Sequence, residues 1–207
     1  MRREQILLAG GVAVPFIYFA NLIVGGLLTP GYSHVSQMPS ELGVATAPFA
    51  ALFNAGLIAA AAATFSAAFG LYFGLRRLGA GLLLALATGV SLALSAGAMA
   101  MSGFFPLPNP LHYGFGLVLA GVFTPLFGAL ALRRVSGTGT ERALLLSGFA
   151  ASIAIVAAIF AANFDLIDFV NTSNAGLWVR AYALTGIPSV ALLCWSVMRR
   201  IGIRHSA

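Results

Sequence analysis

The chain has 207 residues, of which 60% are hydrophobic and only 8% are charged, and its mean hydropathy is +0.97. A soluble domain carries about 25% charged residues because its surface must face water, so this composition excludes a water-soluble globular protein. The formal net charge is +6, but all eleven basic residues are arginines, and most of them stand in pairs at the ends of apolar runs. That placement is typical of membrane anchoring and argues against a nucleic-acid partner.

The first apolar run extends from Ile6 to about Leu28 and follows the charged N-terminal segment MRREQ. About 20 apolar residues are needed to cross the hydrocarbon core of a bilayer, so the run predicts a retained first span rather than a cleaved signal peptide. Five further runs follow it, and they are too long for the strands of a membrane β-barrel. The predicted spans cover approximately residues 5–28, 48–74, 79–101, 111–132, 143–163 and 177–198. The predicted fold class is therefore all-α, a single polytopic domain (1–207) built as a bundle of six transmembrane helices.

Prolines and small residues mark individual spans. Pro15, Pro125 and Pro188 fall inside spans one, four and six, where each predicts a local kink. Gly70 and Gly74 form a small-xxx-small pair in span two, which predicts close contact with neighbouring helices.

The arginines predict which side of the membrane each loop faces. Ten of them lie at the termini, between spans two and three, or between spans four and five, namely Arg2, Arg3, Arg76, Arg77, Arg133, Arg134, Arg142, Arg199, Arg200 and Arg204. Six spans place all of these positions on one side, which the positive-inside rule makes cytoplasmic. We therefore expect a bacterial inner-membrane protein with both termini in the cytoplasm, in which Glu4 and Glu141 pair with nearby arginines.

The polar residues of the opposite side lie in three loops, at about residues 29–47, 102–110 and 164–176, and in the helix ends beside them. They are His34, Glu41, Asn54, His112, Asp165, Asp168 and the remaining arginine, Arg180. A charge at interfacial depth needs a partner or reaches water. Arg180 is therefore expected to pair with Asp165 or Asp168, or else to contact lipid phosphate or water. Because all three loops contribute, a bundle would gather these residues at one rim.

The longest polar stretch on that side is PGYSHVSQMPSELG, from Pro30 to Gly43. Within it, Ser40 is a suitable N-cap for a short helical turn on the membrane surface, with Glu41 near the positive end of that turn. At the start of span four, the Asn109-Pro110 pair is a helix-start pattern. This pattern places His112 in the first turn of span four.

Three kinds of chemistry fit these residue types. His34 and His112 with an acid of the same side could supply three zinc ligands, but no HxxxH or HExxH pattern is present. Ser33 or Ser36 with a histidine and an acid could act as a nucleophile, but no GxSxG pattern is present. The histidines could respond to pH, although a proton relay would need an acid at mid-membrane depth. The motifs predict no metal site and no cofactor.

A ligand pocket beneath the three loops is the fourth hypothesis. Phe104, Phe105, Trp178 and Tyr182 would form its aromatic walls. Aromatic residues at this depth also form the ordinary interfacial belt of a membrane protein. Such a pocket would hold a lipid or a small molecule under the loops.

The stretch PGYSHVSQMPSELG followed by APFAALFNAGLIAA, with GFFPLPNPLH before span four and GLWVR at the start of span six, resembles a bacterial six-span family known as domain of unknown function 998. The resemblance covers nearly the whole chain. It implies six helices and a motif-bearing outer loop, and it implies no particular activity. The positions that match the family pattern are Tyr32, Ser33, His34, Ser40, Glu41, Leu42, Gly43, Asn54, Phe105, Pro106, His112 and Arg180. The uncharged segment VSQMPS departs from that pattern, in which an acid is frequent, and this argues against a metal or acid–base role for the segment.

These observations predict a non-enzymatic membrane protein that binds a lipid or small ligand at the outer loop rim, or that serves as a partner subunit of another membrane protein. The expected ligand-binding residues are Tyr32, Ser33, His34, Glu41, Asn54, His112, Asp165, Asp168 and Arg180. The first alternative is an intramembrane lipid-directed hydrolase or transferase with His34, Glu41 and His112 as catalytic candidates. The second alternative is a small transporter, against which stand the missing mid-membrane charges and the missing inverted repeat.

Overall fold

The computed structural model describes residues 3–203 and contains helices but no strands over that range. Six helical segments are long and apolar enough to cross a membrane, so the predicted fold class and number of spans are confirmed. Five of them are continuous α-helices, namely α1 (Arg3–Leu28), α2 (Ala50–Arg77), α3 (Leu82–Phe104), α5 (Gly139–Asn163) and α6 (Ala175–Ile203). The fourth span, Pro110–Arg134, contains the short helix α4 (Thr124–Ala131). The predicted anchoring residues Arg2 and Arg204 lie outside the described range.

The six spans form a ring in chain order. Each span packs against the next, α6 closes the ring against α1, and α2 and α4 also contact α6 across the interior. Short connections favour this order because they hold successive helices as antiparallel neighbours. One end of the bundle, here termed the arginine end, holds the start of α1 and the arginine pairs that end α2, the fourth span and α6. The opposite end, termed the loop end, holds segments 29–49, 105–109 and 164–174.

The main hydrophobic core fills the half of the bundle nearest the arginine end. Its fully buried side chains include Leu8, Leu71, Leu75, Leu132, Leu145, Leu193 and Val197. A smaller cluster of Leu22, Leu42 and Phe53 lies near the loop end. Packing is therefore dense in one half and sparser in the other, which leaves room for a cavity in the loop half.

Small residues in α2 allow two other helices to approach closely. A Cβ atom added at Gly70 would lie 2.9 Å from the backbone nitrogen of Leu8 in α1, and one added at Gly74 would lie 2.6 Å from Cγ1 of Val197 in α6. Neither position has space for a side chain. The predicted small-xxx-small contact is confirmed. Gly70 makes its closest contact with α1, and Gly74 makes its closest contact with α6.

Ion pairs join the helix termini at the arginine end. Glu4 of α1 pairs with Arg77 of α2 at 3.3 Å. Glu141 of α5 lies 2.9 Å from Arg200 and 3.6 Å from Arg199, both in α6. The predicted pairing of the two glutamates with nearby arginines is confirmed.

The fourth span is not the continuous α-helix that the sequence predicts. Its loop half, Pro110–Phe123, has 3-10 geometry and contains three consecutive left-handed residues, Gly114, Phe115 and Gly116, with φ of 53°, 53° and 74°. Left-handed residues cannot continue a right-handed helix, so a regular α-helix resumes only in α4. Pro125 lies inside the fourth span, as predicted, but it occupies the first turn of α4, where proline is well tolerated, and the irregular backbone lies at Gly114–Gly116 instead. The other two prolines lie inside continuous helices, Pro15 in α1 and Pro188 in α6.

Candidate functional site

The stretch Pro30–Gly43 folds back over the loop end of the bundle and finishes in a short 3-10 helix, Pro39–Gly43. The N-cap of this helix is Met38, whose backbone N–H donates to the Glu41 carboxylate at 2.7 Å. The predicted surface helix is therefore present. The predicted cap at Ser40 is wrong, because a proline occupies the first helical position and moves the cap to the residue before it.

Gln37 lies at the centre of a hydrogen-bond network in this loop. Its side-chain oxygen accepts from the backbone N–H of Ser33 at 2.8 Å, and its side-chain nitrogen donates to the Glu41 carboxylate at 3.0 Å. Its backbone oxygen accepts from Arg180 at 2.8 Å and lies 3.4 Å from the hydroxyl of Tyr32. We term Tyr32, Ser33, Gln37, Glu41 and Arg180 the Gln37 network. It gathers four of the predicted ligand-binding residues, which here bind one another.

The same loop caps α6. The backbone N–H of Leu177 donates to the carbonyl of Val35 at 2.8 Å. That of Gly176 donates to the carbonyl of Ser36 at 3.3 Å. The first N–H groups of a helix have no partner within the helix, so these bonds satisfy them and fix the loop to α6. Gly176 has no space for a side chain, because an added Cβ would collide with the backbone oxygen of Gln37.

Arg180 stands in the second turn of α6 and is only 9% exposed. Its Nη1 donates to the backbone oxygens of Gln37 and Gly176, each at 2.8 Å, and its Nη2 donates to the hydroxyl of Tyr32. The guanidinium carbon also lies 5.6 Å from the centre of the Tyr32 ring, within the range of a cation–π contact. The Nε–H has no hydrogen-bond partner. A buried cation is thus held by neutral groups.

Asp165 and Asp168 take no part in the Gln37 network. Both are exposed in the connection between α5 and α6, and neither forms an ion pair within residues 3–203. The prediction that Arg180 pairs with one of them is therefore wrong. The physical reason is that the loop Pro30–Gly43 reaches α6 and supplies the acceptors instead.

His34 packs beside the network. Its ring stands edge-on to the ring of Tyr32, with centres 5.1 Å apart, and it covers Gly26 of α1, where an added Cβ would collide with the imidazole. Partial burial, followed by the positive charge of Arg180, lowers the pKa of His34. Burial raises the pKa of Tyr32, although Arg180 acts in the opposite direction. Both shifts favour the neutral forms of these side chains.

Beneath the loop the bundle forms a partly open cavity of about 530 Å³. Met38, Pro39 and Ser40 roof it, and it extends between the helices as far as Thr64 of α2 and Val190 of α6. Every span contributes to its wall, which is mostly apolar and includes Val14, Leu57, Leu92, Met99, Leu119 and Ile159. The cavity therefore occupies the sparsely packed half of the bundle.

A few polar side chains interrupt the apolar wall, among them Tyr18, Asn54, Ser95, Ser102, His112 and Tyr182. Of the nine predicted ligand-binding residues, Asn54 and His112 line the cavity and the others do not. The amide nitrogen of Asn54 donates to the backbone oxygen of Gly43 at 2.9 Å. This bond fastens the end of the loop to α2 at the edge of the cavity.

His112 is buried in the wall, in the first turn of the fourth span. Asn109 caps that turn by accepting from the backbone N–H of Leu111 at 2.9 Å, as the helix-start pattern predicts. Nδ1 of His112 lies 3.1 Å from the backbone oxygen of Phe105. A carbonyl only accepts, so Nδ1 carries the proton and Nε2 keeps its lone pair in the neutral ring. Ser102 donates to the backbone oxygen of His112 at 2.7 Å, which fixes this turn against α3.

The aromatic walls of the cavity differ from those expected. Tyr182 lines the cavity, whereas Phe104 and Phe105 are exposed on the outside of the bundle. Trp178 packs on Phe169 of the neighbouring connection, with ring centres 5.6 Å apart. Phe104, Phe105 and Trp178 therefore match the interfacial belt rather than a pocket wall.

One residue pattern in α3 is consistent with the cavity. Ser95, Ala98, Met99 and Ser102 all line it, and their spacing of three, four and seven residues places them on one helix face. Small and hydroxylated residues in an apolar helix also serve helix packing, so the pattern alone does not indicate a cavity.

The three catalytic candidates have separate partners. Glu41 binds within its own loop, His112 binds Phe105, and His34 packs on Tyr32. No hydrogen bond joins any two of the candidates in the described structure. Among residues 3–203, no group of three histidine, cysteine, aspartate or glutamate side chains is close enough to hold a metal ion. The residues considered as zinc ligands in the metal-site hypothesis are thus not brought together within residues 3–203.

These features define an all-helical, multi-pass membrane protein with an apolar cavity roofed by a folded loop. The sequence profile of one protein family, described as "Protein of unknown function (DUF998)", matches residues 12–196. Because the match covers most of the chain, the protein belongs to this family, as the resemblance predicts. No curated protein and no solved structure matches the chain.

Proposed function

We propose that this protein binds a lipid or a similar amphiphile, with the apolar chain of the ligand inside the cavity. The observation that carries the proposal is the unfilled volume of about 530 Å³ in a bundle whose other half is densely packed. Ligand pockets commonly measure about 300–1,000 Å³ and combine an apolar wall with a few polar groups. Here the apolar wall would hold the chain, and Asn54 and His112 would offer hydrogen-bond partners to a headgroup.

The exposed part of the wall supports access from the bilayer. Tyr113 is 67% exposed, Val118 39% and Phe160 48%, and all three line the cavity. They belong to the fourth span and to the loop half of α5, so the opening lies between these two spans on the lateral surface. Non-helical backbone at membrane depth is tolerated where it lines a cavity, which fits the left-handed Gly116 in this wall. A ligand would therefore enter sideways without crossing the loop.

The arginine distribution supports an orientation for this function. With the arginine end in the cytoplasm, the loop end and the cavity belong to the outer half of a bacterial inner membrane. The lipids of the outer leaflet are then the nearest source of ligand. The enzyme hypothesis lacks an assembled acid–base pair, and the binding hypothesis needs none.

Filling the cavity tests the proposal. Gly186 lines the cavity from α6, and a Cβ atom added there meets no other atom within 4 Å. The ring of Gly186→Phe would therefore occupy ligand space without displacing a helix. The measurement is photolabelling of the detergent-purified protein with lauryl alcohol that carries a diazirine in its chain, with labelled peptides mapped by mass spectrometry. Gly186→Phe is expected to weaken labelling of the cavity wall on the order of tenfold, which corresponds to about 1.4 kcal/mol.

Gly97→Phe is the matched control. Gly97 lies in α3 outside the cavity wall, and an added Cβ would make ordinary contact with Phe65 at 3.8 Å. This variant is expected to label like the wild type. The proposal fails if the wild type shows no label in the cavity wall, or if Gly186→Phe folds normally and labels as strongly as the wild type.

A further inference from the structure

Within residues 3–203 the charge of Arg180 has no acidic partner. The ion pairs of the described chain all lie at the arginine end, where Glu4 and Glu141 bind other arginines. Glu41, the acid in the Gln37 network, directs its carboxylate to the amide of Gln37 and the backbone N–H of Met38. A buried cation without a counter-ion is costly to keep away from water. An ionisable group at this depth therefore indicates a function that needs its charge.

Arg180 also has unused hydrogen-bond donors. The N–H groups of a guanidinium outnumber the three acceptors that Arg180 contacts, and its Nε–H is buried without any acceptor. A planar guanidinium binds a carboxylate or a phosphate through two parallel N–H bonds. The Nε–H is a donor without an acceptor, but it is closed to solvent, so a ligand at this edge would have to displace neighbouring side chains.

The position of Arg180 connects this charge to the cavity. On α6, Val179 precedes it and Ala183 follows one turn later, and both line the cavity. On the loop side, Met38 follows Gln37, whose backbone oxygen accepts from Arg180, and Met38 also lines the cavity. Arg180 itself does not line the cavity, so the headgroup of a bound amphiphile would have to reach the guanidinium from the loop end of the cavity, past these lining residues.

We propose that Arg180 is the counter-ion of an anionic headgroup, a carboxylate or a phosphate, on the amphiphile whose chain occupies the cavity. This inference rests on the proposed binding function and adds the chemical class of the ligand. A headgroup at the Nε edge would satisfy the free donor and neutralise the buried charge. The rival explanation is that Arg180 serves only to fasten the loop to α6.

The experiment compares three probes with the same chain and different headgroups. Lauric acid, lauryl phosphate and lauryl alcohol each compete with the diazirine-bearing lauryl alcohol for photolabelling of the purified protein. The pH is one at which both acids are ionised. The wild type is expected to bind the two anionic probes on the order of tenfold more tightly than the alcohol, since hydrogen bonds to charged groups are the stronger ones. A wild type without this preference overturns the inference, whatever the variants do.

Three variants separate the charge from the fastening role. Arg180→Gln removes the charge but keeps donors for the loop carbonyls, and it is expected to lose the anionic preference while still binding the alcohol. Arg180→Lys keeps the charge without the planar fork, and it is expected to retain part of the preference. Tyr32→Phe is the matched control, because it removes a bond that Arg180 makes to the loop and leaves the charge in place. It is expected to keep the full preference, even if all three probes bind more weakly.

The remaining outcomes distinguish this inference from the proposed function. If Tyr32→Phe loses the preference as completely as Arg180→Gln, the loop junction rather than the charge is responsible and the inference is overturned. If inorganic phosphate or acetate displaces lauryl phosphate as effectively as lauric acid does, the site binds free anions. The proposal that its ligand is an anionic amphiphile is then overturned. If Gly186→Phe blocks the alcohol but no probe shows a preference, the cavity function stands and this inference fails. If the diazirine-bearing lauryl alcohol does not label the cavity wall, both the proposed function and this inference fail.

Discussion

His34 lies where α1, the loop Pro30–Gly43 and the charge of Arg180 meet. Its ring covers Gly26 and contacts the ring of Tyr32, which itself contacts the guanidinium. Protonation of His34 would place a second positive charge next to a cation that already lacks a counter-ion. The folded loop therefore favours the neutral imidazole, in agreement with the lowered pKa of this residue.

The stability of the protein is expected to fall as the pH is lowered through the titration range of His34. In the unfolded chain the imidazole has its ordinary pKa of about 6.5, whereas the pKa is lower in the folded protein. Below about pH 6.5 the unfolded state therefore takes up the proton first, and stability declines until the pH has passed the folded-state pKa. Melting curves of the purified protein between about pH 8 and about pH 5 bracket this window. The apparent melting temperature of the wild type is expected to fall more steeply than that of His34→Gln, and equal slopes would contradict the prediction.

Sequence reasoning identified most residues of the Gln37 network but not their partners. Arg180 was conspicuous because its charge lies opposite the other arginines. Its actual acceptors are two backbone oxygens and a phenol, and no residue pattern encodes which carbonyl a folded loop presents. Asp165 and Asp168 are the expected partners only because they follow the span immediately before α6 in the chain. Glu41 was assigned correctly to the first turn of a surface helix, because capping is a local interaction.

At the scale of elements, the fourth span is where the structure departs most from a simple helix. The backbone of Gly114 approaches α3 so closely that an added Cβ would lie 2.7 Å from Cα of Ala98. Gly116 has a similar left-handed conformation, but a Cβ added there meets nothing within 4 Å. The two glycines therefore separate the effect of backbone conformation from the effect of crowding.

Gly114→Ala is expected to destabilise the protein more than Gly116→Ala. Both substitutions force alanine into a left-handed conformation, at a cost of about 1–2 kcal/mol. Gly114→Ala adds a collision with α3, for which overpacking costs of roughly 1–3 kcal/mol are typical. Thermal unfolding of the two purified variants measures the difference. A Gly116→Ala variant as unstable as Gly114→Ala would show that crowding against α3 contributes little.

The sequence indicated where this span begins but not how its backbone continues. The Asn109-Pro110 pair predicted the first turn correctly, since a cap and a proline act locally. The left-handed Phe115, with φ of 53°, has no comparable signal, because the apolar run around it suits an ordinary membrane helix equally well. The irregular backbone coincides with the close approach of Gly114 to α3 and with the position of Gly116 in the cavity wall.

At the scale of the whole molecule, the bundle is solid at the arginine end and hollow at the loop end. Ion pairs of Glu4 and Glu141 and the main apolar core lie in the solid half. The cavity and the Gln37 network lie in the hollow half. Hydropathy predicted the six spans, because span length follows from bilayer thickness. Hydropathy could not predict the hollow half, because an apolar side chain has the same hydropathy whether it faces lipid, a neighbouring helix or a cavity.

The arginines predict the orientation of this asymmetric bundle in the membrane, and two cysteine substitutions test that prediction. Ser136 is exposed at the arginine end and Thr172 is exposed at the loop end, while the native Cys194 is fully buried and is removed by Cys194→Ala. In intact cells a membrane-impermeant maleimide is expected to label Thr172→Cys, and to label Ser136→Cys only after lysis, because the positive-inside rule predicts that the arginine end faces the cytoplasm. The opposite result would invert the orientation and place the cavity in the inner leaflet. Labelling of both positions in intact cells would contradict a six-span arrangement, since an odd number of spans separates residues 136 and 172.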